Sequence, residues 1–240
     1  MCAEAFFVPS LPYTRSGDTA DNFTNAYALP ASGCGNSVAE RGAGSDDSVY
    51  SFTATSDTTV VFSVTGTGGF DPTIYVTTDC SDLANTCLDS GSGEYVADGT
   101  ETATVSVVDG QTYFVIVDGN FNSSNQTGTY TLDVYESPCA LSNPCDANAT
   151  CEDVMMAAQC TCNQGYEGDG LTCTPASGDT CASPITLDTT AFPITLTSST
   201  TPALDDYDVD PATCTARTNT LAAGGASSDR VYAFTAPATR

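Results

Sequence analysis

Along the first 135 residues, apolar and β-branched side chains recur at alternate positions or in short unbroken runs. The runs are Val49-Tyr50-Ser51-Phe52-Thr53-Ala54, Thr59-Val60-Val61-Phe62-Ser63-Val64, Thr73-Ile74-Tyr75-Val76, Ala103-Thr104-Val105-Ser106-Val107, Thr112-Tyr113-Phe114-Val115-Ile116-Val117 and Tyr130-Thr131-Leu132-Asp133-Val134. A period of two puts alternate side chains on one face of an extended strand. Turn formers stand between the runs: Gly66-Thr67-Gly68-Gly69, Asp71-Pro72, Asp109-Gly110 and Asp118-Gly119. No stretch carries a convincing helical period. The run 112–117 is apolar on both faces, which predicts a central strand, whereas the others should each keep one wet face. Short strands at this interval predict an all-β chain built on an antiparallel β-sandwich of jelly-roll type over residues 1–135.

Residues 139–173 break that pattern. Cys139, Cys145, Cys151, Cys160, Cys162 and Cys173 fall within this short span, and the apolar residues between them are too few for a core. Such a segment holds a shape through cross-links. Spacing alone leaves fifteen pairings open. Zinc at Cys160-Thr161-Cys162 is the competing reading, disfavoured because structural zinc sites favour a pair of Cys-x2–4-Cys knuckles, often with His, and the chain has no His. The spacing, with Gly165-Tyr166-Glu167-Gly168-Asp169-Gly170 in the last gap, resembles an epidermal-growth-factor-like (EGF-like) module. That resemblance implies the pairs Cys139–Cys151, Cys145–Cys160 and Cys162–Cys173. The calcium-binding form of the module has an acidic cluster before its first cysteine and an aromatic before its fourth. Tyr135 and Ala158 stand in those places, so no calcium site is expected there.

After the linker 174–180 the start of the chain returns. Cys181 matches Cys2, Cys214 matches Cys34, and Ser228-Asp229-Arg230-Val231-Tyr232-Ala233-Phe234 matches Asp46-Asp47-Ser48-Val49-Tyr50-Ser51-Phe52. The modules expected are therefore 1–135, 136–174 and 175–240, the last an incomplete and more loosely packed second copy. Within the first copy, Cys80 and Cys87 stand close enough to clip one loop, which leaves Cys2 to pair with Cys34. Asp47-x2-Tyr50-x-Phe52, Phe70-Asp71-Pro72-x-Ile74-Tyr75, Gly110-x2-Tyr113-Phe114-x2-Val117-Asp118-Gly119 and Gly128-Thr129-Tyr130-Thr131-Leu132 resemble the bacterial pre-peptidase C-terminal domain. The resemblance implies a β-sandwich accessory module of secreted proteins that binds or spaces rather than catalyses.

Charge narrows the partners. Thirty acidic residues against five basic ones give a net charge of −25, which repels nucleic acid and anionic membranes. No run of 18 apolar residues is present to span a bilayer. Twelve cysteines, an even number, place the chain in an oxidising compartment, secreted or at the cell surface. Met1-Cys2-Ala3-Glu4 lacks a basic leader region and Ala5-Phe6-Phe7-Val8 is short for an export core, so the chain is expected to be a piece of a longer protein. With neither His nor Lys there is no Ser-His-Asp triad, no Cys-His pair and no Schiff-base lysine. Only carboxylates remain for acid–base work, and they sit mostly in turns, so no active site is expected.

Calcium is the cofactor the Asp-rich loops would take, through Asp46, Asp47, Asp71 and Asp118, with Asp229 as the second-copy counterpart of Asp47. The same aspartates also serve as turn formers. That reading is preferred, because no Asp-x-Asp-x-Asp-Gly run occurs. Sequons start at Asn22, Asn122, Asn125 and Asn148 and are given little weight, since chance matches are expected in an Asn- and Thr-rich chain. Phe121, at a loop tip, is either a stacking residue or a loop anchor. The chain reads as a non-catalytic extracellular modular protein for recognition, adhesion or spacing, with an extracellular protein or carbohydrate as ligand. The alternative is a substrate-targeting or calcium-binding appendage of a secreted hydrolase.

Overall fold

The computed structural model describes residues 2–21, 24–29, 34, 42–91, 96–120, 127–188, 193–207 and 228–236. Cys214, Phe121 and the sequons at Asn22, Asn122 and Asn125 lie outside the described residues. The chain divides into two compact units, Met1–Ser142 with Met155–Ala157, and Asn143–Val154 with Ala158–Arg240.

Among the described residues of the first unit there are nine strands: β1 Phe6–Val8, β2 Tyr13–Asp18, β3 Ser48–Thr53, β4 Thr58–Thr67, β5 Pro72–Thr77, β6 Cys87–Gly91, β7 Thr100–Val107, β8 Thr112–Gly119 and β9 Thr129–Glu136. They form a five-stranded sheet in the order β1-β3-β8-β5-β6 and a four-stranded sheet in the order β2-β9-β4-β7. All six apolar runs are strands. β8 lies at the centre of its sheet, between β3 and β5, as its two apolar faces require. One pairing departs from the antiparallel expectation: β1 runs parallel to β3, with Phe6 opposite Tyr50 and Val8 opposite Phe52. The chain can pair this way because β2, which follows β1, joins the other sheet.

The period of two sorts β3, β5 and β8 between two cores. Tyr50, Phe52, Val60, Phe62, Val64, Ile74, Val76, Val115, Val117, Leu132 and Val134 belong to the main core cluster. Val49, Tyr75 and Ile116, on the opposite face of β3, β5 and β8, join Leu29 and Cys34 in a second cluster, with Tyr27, Leu83 and Phe114 packed against it. That outer cluster corrects the expectation of a wet face on β5, all six of whose residues are buried.

Disulfides hold this outer layer in place. Cys2 is bonded to Cys80 and Cys34 to Cys87, with Cα atoms 6.2 and 5.4 Å apart. The short Cys80–Cys87 clip and the Cys2–Cys34 pair read from spacing are therefore wrong. The intervening segment turns through the short helix α1, Leu83–Thr86, and its two cysteines reach different partners. The bonds span 78 and 53 residues instead of the seven of a local clip. In the chain-entropy account, closing loops of that length restricts the unfolded chain by about 4 kcal/mol each, against about 2 for the short one.

In the second unit, β10 Ala149–Val154 and β11 Ala157–Cys162 form a hairpin, and β12 Tyr166–Gly168 pairs antiparallel with β13 Cys173–Pro175. Disulfides join Cys145 to Cys160 and Cys162 to Cys173; Cys139 and Cys151 are also disulfide-bonded. Gly170 has φ +83°, and a Cβ there would sit 2.3 Å from the Cys160 carbonyl oxygen, so the turn admits only glycine. Further along, β14 Ile185–Thr186 pairs parallel with β15 Tyr232–Ala233, repeating the β1–β3 arrangement.

Candidate functional site

The clearest concentration of polar chemistry lies under the outer layer of the first unit. Asp118, near the end of β8, is fully buried, and Asp47, just before β3, is nearly so. Antiparallel pairing of β3 and β8 sets Ser48 opposite Val117, which brings the flanking acids together. Tyr75 Oη donates to Asp118 Oδ2 at 3.0 Å, and the Gly119 N–H donates to Asp118 Oδ1 at 2.7 Å. Asp47 Oδ2 accepts from the N–H groups of Ala26 and Tyr27 at 2.5 and 2.9 Å. Gly42 closes the site: a Cβ there would lie 1.8 Å from Asp118 Oδ2, and its φ is +84°.

The two carboxyls are neighbours, each acting on the other's protonation. Two carboxyls held close together away from water disfavour each other's charged form. Burial pushes Asp118 well above the usual carboxylate range, and the neighbouring Asp47 charge adds to the rise. Burial also raises Asp47, to about 6, against hydrogen bonds from Asp118, Ala26 and Tyr27 that favour its charge. The two titrate as a coupled pair, with Asp118 the more strongly raised.

Asp47 and Asp118 come together; Asp71 instead accepts a hydrogen bond from Asn120 Nδ2 at 2.8 Å. Asp46 is only partly buried and acts on Asp47 through charge. Among the described residues no three His, Cys, Asp or Glu side chains are gathered to hold a metal ion. Backbone N–H groups occupy Asp47 Oδ2, while Asp47 Oδ1 and the Ser45 and Ser48 hydroxyls beside it are buried without a hydrogen-bond partner.

Two clefts open on the same unit. One, about 510 Å³, is lined by Cys2, Ala26, Tyr27, Asp79, Cys80 and Phe114 among others. The other, about 250 Å³, is lined by Phe6, Arg15, Asp18, Asp21, Tyr50 and Tyr130 among others. In the second, the Arg15 guanidinium lies 3.7 Å from the centre of the Phe6 ring, and the Tyr50 and Tyr130 hydroxyls are 2.7 Å apart. A cation stacked on an aromatic beside carboxylates is a setting for a polar ligand. Sequence reasoning missed Arg15, whose only signal was being one of five arginines in an acidic chain.

A family model described as an EGF domain matches residues 139–173. Residues 139–173 are an EGF-like module. Over 47 residues the chain is 43% identical to a nidogen of Drosophila melanogaster; the match takes in 19% of this chain and 4% of that much longer protein. Among solved structures, the pre-peptidase C-terminal domain of a Bacillus anthracis collagenase is 21% identical, with 55% of this chain and 94% of that one covered at a TM-score of 0.34. A periplasmic inhibitor of g-type lysozyme from Aeromonas hydrophila is 10% identical, with coverages of 55% and 96% and the same TM-score of 0.34. The EGF-like module, the nidogen match and the disulfides mark an extracellular modular protein. No helix among the described residues is long and apolar enough to cross a membrane.

Proposed function

We propose that the chain is a non-catalytic recognition or spacing module of a secreted or cell-surface protein, organised as 1–135, 136–174 and 175–240. The observation that carries this is the EGF-like match at 139–173, flanked in the sequence by a repeat whose first copy is stapled by disulfides, an arrangement suited to presenting surfaces outside the cell. The buried carboxyl pair supports it from the other side. A catalytic acid must reach a substrate, and Asp47 and Asp118 are enclosed and committed to holding loops. The ligand is an extracellular protein or a carbohydrate, seated in the cleft that Arg15 lines.

The test is to immobilise the oxidised chain and screen glycan and extracellular-protein arrays. Reproducible binding that weakens at least tenfold in Arg15→Ala, with unchanged thermal unfolding, is the expected result. Turnover of a glycan or peptide substrate, lost in Asp118→Asn, would overturn the reading.

A further inference from the structure

Ser48 and Arg230 hold matching places in the repeat, one following Asp47 and the other Asp229. Ser48 is buried. Arg230 instead reaches three backbone carbonyls. Its Nε donates to the Ser199 carbonyl at 2.9 Å, one terminal nitrogen donates to the Ser177 carbonyl, and the other donates to the Thr201 carbonyl at 3.4 Å. Ser177 lies on the segment that leaves the EGF-like module, and Ser199 and Thr201 lie on the loop 199–204. A planar guanidinium with five donors serves three divergent acceptors at once. An ammonium is a point charge on a flexible stem and has no such fork.

The same two stretches touch the module itself. The Gly165 N–H donates to the Pro202 carbonyl at 2.8 Å, and the Ala176 N–H donates to the Gly165 carbonyl at 2.9 Å. Glu167 Oε1, in β12, accepts from the Ser177 N–H at 3.1 Å and from its hydroxyl at 2.9 Å. Those two bonds, with the Arg230 charge behind them, hold the Glu167 carboxyl below its usual range. On the far side, the Val231 N–H donates to the Gly178 carbonyl at 2.6 Å and the Gly178 N–H to the Ser183 carbonyl at 2.8 Å. Ala176 and Ala203 are fully buried. All these residues belong to the second compact unit. The stretch 174–180 is turn-prone in sequence, yet its backbone is bonded to the module on one side and to the approach of β15 on the other. A hinge needs backbone groups free to turn, and these are committed.

We infer that Arg230 is a latch that locks the EGF-like module to the 199–204 loop and β15, so that they move as one body instead of swinging about 174–180. Three charge-assisted bonds from one side chain tie the loop 199–204 to the Ser177 turn, and that loop carries the Pro202 carbonyl to which the module's Gly165 is bonded. The latch holds whatever the chain binds. Its consequence, a fixed angle at this joint, is what a spacer requires and rests on the function proposed above.

The experiment is amide hydrogen exchange and backbone relaxation, followed by NMR on the full oxidised chain, native and with Arg230→Ala or Arg230→Lys. In the native chain the Gly165, Ala176 and Val231 amides should exchange at one common rate, set by a single opening of the joint. Both substitutions should speed all three by about tenfold or more, lysine included, because it keeps the charge near Glu167 but not the fork. The Asn163 amide, bonded to the Asn148 carbonyl inside the module, should keep its native rate and so report a folded module. Relaxation should give the module and the 199–204 loop one tumbling time in the native chain and two in the variants. Unchanged exchange at Gly165 and Ala176 in Arg230→Ala, a lysine variant indistinguishable from the native chain, or two tumbling times in the native chain would each overturn the latch. Array binding reads the proposed function separately, so either can fail alone.

Discussion

Asp118 and Asp47 show how burial reverses the usual pH dependence of an acidic protein. A carboxyl raised by folding binds its proton more tightly in the native state, so its contribution to stability is complete below the unfolded value and is lost as pH rises through the folded one. For Asp47 that window runs from 3.8 to about 6, worth up to about 3 kcal/mol across it. The first unit should therefore melt several degrees higher at pH 4.5 than at pH 7.5, measured by circular dichroism. Asp118→Asn should flatten that profile in part, because it removes the more strongly raised of the two carboxyls; an unchanged slope would place the pH sensitivity elsewhere. In the EGF-like module, Gly170→Ala forces a Cβ against the Cys160 carbonyl at positive φ. It should cost at least 2 kcal/mol or scramble the Cys145–Cys160 bond, read by peptide mapping, with Leu171→Ala, at an exposed neighbour, as the control.

At the scale of elements, β8 and its coat decide what the sandwich encloses. Val115 and Val117 face the other sheet while Ile116 faces the coat, so one strand serves two cores. The long-range disulfides Cys2–Cys80 and Cys34–Cys87 tie this coat to the chain on either side of α1. The double substitution of Cys2 and Cys80 by serine should lower stability by about 4 kcal/mol in urea unfolding, where a local seven-residue clip would give about 2. The same variant should expose Tyr75 and Ile116 and bind a hydrophobic dye before the main transition. A loss near 2 kcal/mol without dye binding would mean that the coat stays closed unaided.

For the whole molecule, the charge of −25 sets the response to added cations. Adding millimolar calcium should leave the unfolding midpoints unchanged apart from the small rise expected from screening a charge of −25, which magnesium or sodium of equal ionic strength would reproduce. A shift specific to calcium would restore a metal site. The all-β class, the six main strands, the central place of β8, the repeat and the EGF-like module were legible along the chain, because period-two alternation, turn residues and cysteine spacing are local signals. β1, β2 and β6 were not: β1 and β6 are short, and β2, Tyr13-Thr14-Arg15-Ser16-Gly17-Asp18, carries an Arg, a Gly and an Asp where apolar residues would announce a strand.

The sequence by itself determined which residues extend, where the chain turns and that sulfur cross-links it, since each depends on neighbours a few positions away. Tertiary structure alone decided that Cys2 reaches Cys80 and Cys34 reaches Cys87, that β5 is dry on both faces, and that Asp47 meets Asp118 rather than Asp71. Those outcomes depend on which loops fold back over the five-stranded sheet. Contacts between segments that far apart in the chain leave no local periodicity, and only the folded sheet brings them within bonding distance.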